Sequence, residues 1–329
     1  MTDNGYNYLS YDRGILSWLF TLDHKRVGVM YLVSITGAFL LGGLLALMVQ
    51  TELIGPGRTM MGAETFNRAF TLHGMIMVFL VLVPSIPAAL GNFLLPVMLG
   101  VDRLALPRLN LLSFHLWLLG VLLVIMSAFA GGLDTGWTFS VPYALSDGRL
   151  GVNWMAVGVV VLCVATMLTA LNFIITIHQL RPAGMTWSRL PLFLWSMYCT
   201  AVVHLIAAPF LAAAFALLFA ERVWQRGVID PALGGDPLLF TRLLWFALHP
   251  LIWVLILPAI GIVSEVISVH SRRPIVGYRW LAYSGVAIAV CSFLGGGQHL
   301  IAGGQPAVFS AATSGLTLVM FIPVSIIVL

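Results

Sequence analysis

Charge is the scarcest thing in this sequence. Of 329 residues, 16 are Lys or Arg and 12 are Asp or Glu, 9% in all, against roughly a quarter in a soluble domain. So few charges cannot cover a water-facing surface, which excludes the ordinary soluble class. Nucleic acid is excluded as a partner as well: the net charge is only +4, and the basic residues sit in short loops rather than in one patch. Cysteine is nearly absent. Cys163, Cys199 and Cys291 lie far apart, each inside an apolar stretch, so they offer neither a disulfide framework nor a Cys-x-x-Cys metal site. Internal repeats and low-complexity tracts are missing. The first apolar stretch is long and has no small-residue cleavage site before its end, so it reads as a span rather than a signal peptide.

What is there is hydrophobicity, 60% of the chain. A spanning helix needs about 20 mostly apolar residues. Eight stretches meet that need: 27–50, 70–98, 110–131, 152–180, 190–221, 241–268, 278–302 and 309–329. The expected fold is all-α, a single polytopic membrane bundle over residues 1–329. Proline and glycine inside the spans are compatible with this, because neighbouring helices satisfy the freed backbone groups. The eighth stretch runs to the last residue, which leaves open a chain that stops there or part of a longer one. Lys25, Arg26, Arg103, Arg108, Arg181, Arg189, Arg272, Arg273 and Arg279 fall on one side of the predicted bundle. Basic loops face the cytoplasm, so the N-terminus is expected there, in a bacterial inner membrane. The long loop 132–151, with Asp134, Trp137 and Asp147, falls on the outer side.

Ionisable groups at membrane depth are expensive and mark function. Four histidines qualify: His73 in TLHGMIMVF, His204 in TAVVHLIAAP, His249 in WFALHPLIWV and His299 in GGGQHLIAGG. A buried imidazole needs a partner for each nitrogen, and the bland reading of any one of them is a helix–helix hydrogen bond. Several in one small bundle, with Gln298 beside His299, favour a metal or heme site. Gly295, Gly296 and Gly297 would let something large approach the backbone, a porphyrin or a neighbouring helix.

The stretches LDHKRVGVMYL, ELIGPG, TLHGMIMVF, GNFLLPVMLGVDRLALPRLN, GWTFSVPY, LPLFLWSMY, GGDPLLFTRLLWFALHP and SRRPIVGY together resemble subunit I of the heme–copper oxidase superfamily. The resemblance runs from the first to the eighth helix of the family's twelve. It implies heme, of a or b type, and a non-heme metal, copper or iron. It implies oxidase subunits II and III or their equivalents as partners, with cytochrome c or quinol as electron donor and lipid around the chain. By resemblance His73 is an axial ligand of the low-spin heme. His249, Gln298 and His299 stand where the family has its three non-heme metal ligands. Asp102, Asn92 and Asn110 stand at the mouth and neck of one proton channel, and Trp137 and Thr138 in the loop that covers the hemes.

The departures are informative. The family's Pro-Glu-Val-Tyr after the first metal histidine is here Pro250-Leu251-Ile252-Trp253. Leu251 replaces the proton-passing glutamate and Trp253 the cross-linked tyrosine, a catalytic position. Gln298 replaces one histidine of the pair, offering a harder oxygen ligand that suits iron(II) better than copper(I). Ile327 stands for the lysine of the second channel, and Gln50 for an arginine beside the low-spin heme. His204, on the fifth span, has two readings: a helix–helix hydrogen bond to a hydroxyl or carbonyl, or a replacement for the ligand lost at Gln298. Three readings stay open: an O2-reducing terminal oxidase, a nitric oxide reductase-like enzyme, and an inactive structural or electron-transfer homologue that a separate chain completes.

Overall fold

A computed structural model of the chain describes residues 7–9, 14–57, 60–303 and 305–328. Its regular structure there is helical throughout. Eight helices are long and apolar enough to cross a membrane. We label them α1 (His24–Glu52), α2 (Ala63–Leu99), α3 (Pro107–Phe129), α4 (Gly151–Gln179), α5 (Leu192–Trp224), α6 (Pro237–Ser271), α7 (Tyr278–Ile301) and α8 (Ala307–Val328). The chain is a multi-pass membrane protein.

Local chemistry sets the helix starts. Asp23 caps α1 by accepting from the Lys25 N–H at 2.8 Å. Asp236 does the same for α6 through Leu238, with Pro237 in the first turn, where its missing N–H costs nothing. Small residues then set the packing. A Cβ on Gly120 of α3 would lie 2.6 Å from the Leu162 side chain of α4, and one on Gly261 of α6 would lie 2.9 Å from the Cα of Phe193 in α5. Such close approach holds helices together where lipid removes the hydrophobic drive.

α2 departs from a plain helix. It is α-helical over Ala63–Met75, widens to π-helical turns over Ile76–Leu82 and Ser85–Gly91, and returns to α over Asn92–Leu99. Pro84 and Pro87 lack the N–H that would close the ladder there, and wider turns are one way to rehouse the freed carbonyls. α7 departs too. The stretch expected as one helix is α-helical only over Tyr278–Leu294 and tightens to a 3-10 turn over Gly295–Gly303. A run of three glycines is a poor α-former, and here it serves close packing. A Cβ on Gly295 would lie 2.9 Å from His249 Nε2, and one on Gly297 would lie 2.6 Å from Thr313 Cγ2. What approaches these glycines is therefore α6 and α8.

The loop 132–151 is pinned to the bundle. Thr71 accepts a hydrogen bond from the Gly136 N–H, and Trp137 packs on α2 at Gly74, 2.9 Å from where a Cβ would stand. Arg149 pairs with Glu64 at 2.9 Å and lies 3.6 Å from Asp147. Arg222, at the end of α5, donates to the carbonyls of Ala144 and Arg149. The Asp134 carboxylate beside Tyr143 holds that phenol above its ordinary range.

Candidate metal and heme centre

His249 lies midway along α6, and His299 lies on the 3-10 turn that ends α7. Although 50 residues separate them, His249 Nδ1 and His299 Nε2 face each other at 3.2 Å. Two neutral imidazoles can meet this way only if one donates, since opposed lone pairs repel. The same spacing suits two nitrogens on one ion, each about 2.0–2.1 Å from it. Trp245, one turn before His249, stacks on the His299 ring with centroids 4.0 Å apart and planes 10° apart. That stack fixes the ring's orientation. His249 is buried, and its Nε2 has no hydrogen-bond partner. Gln298 is half-buried on the same turn as His299. The two facing imidazoles fit a pair of nitrogen ligands for a non-heme metal.

Beside this pair is an apolar recess between α2 and α6, lined by Val78, Leu82, Trp137, Trp245, Leu251 and Ile252. Leu251 is buried and Trp253 half-buried. Neither position, close after His249 on α6, presents an acid or a phenol.

His73 lies on α2 just before the first π-helical turn. Its Nδ1 donates to the Gly42 carbonyl of α1 at 2.9 Å. In a neutral imidazole that leaves the lone pair on Nε2, the arrangement that metal-bound histidines commonly show. His73 therefore fits an axial heme ligand. Gln50 is exposed near the C-terminal end of α1, two turns beyond Gly42, and Trp137 sits over the neighbouring Gly74.

The structure does not bring His204 to the His249–His299 pair. Among the described residues, no group of three His, Cys, Asp or Glu side chains is placed to hold one ion. His204 instead lies in a separate cavity against α1, α2, α3 and α4, with Tyr31, Trp117 and Thr169. Asp102 is exposed in the loop between α2 and α3, while Asn92 and Asn110, at the ends of those helices, are fully buried. Sequence reasoning passed over Trp245, Tyr31, Ser113 and Thr169. A usable signal existed for the last: Thr166, Thr169, Asn172 and Thr176 recur at helical spacing along one face of α4.

Comparison with known proteins bears on all of this. The family model described as cytochrome c and quinol oxidase polypeptide I matches residues 26–329. Cytochrome c oxidase subunit 1 of Synechocystis sp. is 37% identical over 307 residues, 93% of this chain and 56% of the relative. A probable cytochrome c oxidase subunit 1-beta of Nocardia farcinica is 40% identical over 311 residues, 93% of this chain and 52% of the relative. Cytochrome c oxidase subunit 1 of Thermostichus vulcanus is 34% identical over 307 residues, 93% of this chain and 56% of the relative. The chain spans about half the length of the curated relatives it matches.

Proposed function

This chain belongs to the cytochrome c and quinol oxidase polypeptide I family, and from that premise we propose that it is the membrane component of a respiratory heme–copper oxidoreductase with a modified binuclear site. The observation that carries the reading is the His249 Nδ1 to His299 Nε2 approach at 3.2 Å, braced by the Trp245 stack. In it His73 holds a heme of a or b type. His249 and His299, with Gln298, hold the non-heme copper or iron. These groups, when bound, supply terminal electron transfer to O2 or NO.

The chain's own residues do the rest. Gly42 fixes the His73 tautomer. Trp245 orients His299. Leu251, Ile252 and Trp137 keep water from the recess beside the metal pair. With Leu251 and Trp253 in place of an acid and a phenol, α6 offers no proton or hydrogen-atom donor next to that pair. A two-electron reduction of NO asks less of such a site than four-electron cleavage of O2. Asp102, Asn92 and Asn110 form the proton entrance. Subunits II and III or their equivalents, and a cytochrome c or quinol donor, complete the complex in a bacterial inner membrane with the N-terminus cytoplasmic.

A second reading has its own support: the altered residues at 251, 253 and 298 and the absence of a three-residue His/Cys/Asp/Glu group among the described residues. In it the chain is an inactive structural or electron-transfer homologue that another chain completes. Pyridine hemochrome spectra with copper and iron analysis of the purified complex separate the two. Heme plus one further metal per complex, followed by NO or O2 consumption, supports the first reading. Heme without a further metal supports the second.

A further inference from the structure

One end of the bundle gathers positive charge. The connection from α4 to α5 carries Arg181 and Arg189, the connection from α6 to α7 carries Arg272 and Arg273, and Arg279 stands in the first turn of α7. Among the described residues none of these five forms an ion pair. Glu265 of α6 is engaged instead with the Leu192 N–H, at 2.7 Å. No side chain caps α7, so its first N–H groups add the positive end of a helix dipole.

A cleft opens among these groups. Trp187, Trp195, Tyr278 and Tyr283 wall it, and Ser188 and Arg279 supply its donors. No acid lines it. The walls are held in place by the chain itself. The Trp195 indole N–H donates to the Trp187 carbonyl and to the Tyr278 hydroxyl, each at 3.0 Å. Tyr278 in turn donates to the Leu190 carbonyl. The Arg181 guanidinium lies 4.3 Å from the centroid of the Trp187 ring, so that wall carries a second positive charge.

The cleft continues into a track along α7. Arg279, Tyr283, Val286, Val290 and Leu294 recur every three or four residues, which puts them on one helix face, and all five are exposed. From Arg279 to Val290 is about 16 Å at 1.5 Å per residue, half of a hydrocarbon core of roughly 30 Å. A cation, an aromatic ring and then aliphatic side chains follow one another there, the order of headgroup, interface and acyl chain. A free anion would use the first of these and leave the rest idle.

We propose that this cleft holds the headgroup of an anionic glycerophospholipid, with its phosphodiester on Arg279 and Ser188 and an acyl chain along α7. The guanidinium fork matches two phosphate oxygens, the hydroxyl gives a further bond, and the aromatic walls pack at the level of the glycerol. The site stands at the opposite end of α7 from His299, so it does not depend on the oxidoreductase reading.

The test is native mass spectrometry of the full chain purified with its complex, delipidated in detergent and titrated with dioleoyl phosphatidylglycerol or dioleoyl phosphatidylcholine. The unaltered complex is expected to retain one phosphatidylglycerol about tenfold more tightly than phosphatidylcholine, the worth of a hydrogen-bonded charge. Arg279→Gln should abolish that preference, and Arg279→Lys should restore part of it. Arg242→Gln, at the start of α6 and so at the other end of the bundle, should change nothing. If Arg279→Gln lowers the thermal midpoint, Ser188→Ala decides in its place, with a loss of about fivefold expected. Equal retention of the two lipids would overturn the proposal. So would equal retention of phosphatidylglycerol by the unaltered and Arg279→Gln complexes. Displacement of the lipid by the chainless diester glycerophosphoglycerol at matched concentration would overturn it too, because the ligand would then be a free phosphate ester.

Discussion

His249 and His204 each bury an imidazole nitrogen that no protein group satisfies, yet their surroundings are opposite. His249 has a second imidazole at 3.2 Å, an aromatic brace and apolar flanks. His204 has no second imidazole but shares a cavity with Tyr31, Trp117, Thr166 and Thr169. The packing differs in the same sense. α2 and α4, which pack against His204, are the helices most enclosed by their neighbours, whereas α6, which carries His249, leaves most of its surface open to lipid or to further protein. The lesson is that two identical side chains at similar depth are assigned by their second neighbours. One environment suits a cation, the other water.

The most severe way to break this comparison is to remove a ligand. His249→Ala is expected to lower non-heme metal content by about tenfold or more, read by mass spectrometry of copper and iron, while His204→Leu leaves it unchanged. Filling the glycine turn comes next. Gly297→Val would press on Thr313 and Phe309 and cost about 1–3 kcal/mol, lowering the thermal midpoint in detergent and separating His299 from His249. Trp245→Ala should keep the fold but release the His299 ring. A second-neighbour loss of this kind costs about 10- to 100-fold in metal affinity, measured by competition with a chelator. The smallest effect is expected at Tyr31→Phe, which loses one hydroxyl contact worth about 1 kcal/mol and should leave metal content untouched in the same assay.

Much of the architecture was legible in the sequence, because membrane helices announce themselves by apolar length. All eight spans are present. The largest boundary error lies at the start of α2, expected at 70 and observed at Ala63. Hydropathy discards Glu64 and Arg68, but these lie four apart on a helix and pair at 2.7 Å, and Glu64 also engages Arg149 of the loop 132–151. The π-helical turns were not read, although Pro84 and Pro87 pointed to irregular hydrogen bonding. At the site, the resemblance put His249 and His299 at one centre, and the geometry brings them together. It could not tell which way His204 faces. A lone histidine in an apolar run carries no partner in its own neighbourhood, and the cavity it lines is assembled from α1, α2, α3 and α4, residues distant in sequence. The three glycines before Gln298 were ambiguous for a similar reason: their use depends on what α6 and α8 present to them.

X-ray absorption at the edge of the bound non-heme metal tests the central claim most directly, because it counts imidazole ligands. Performed on the full chain purified with its complex, it should find two imidazole nitrogens, and one fewer in either His249→Ala or His299→Ala wherever metal is retained. A metal whose shell holds no imidazole, or whose spectrum is unchanged in both variants, would contradict the assignment of His249 and His299 as one centre.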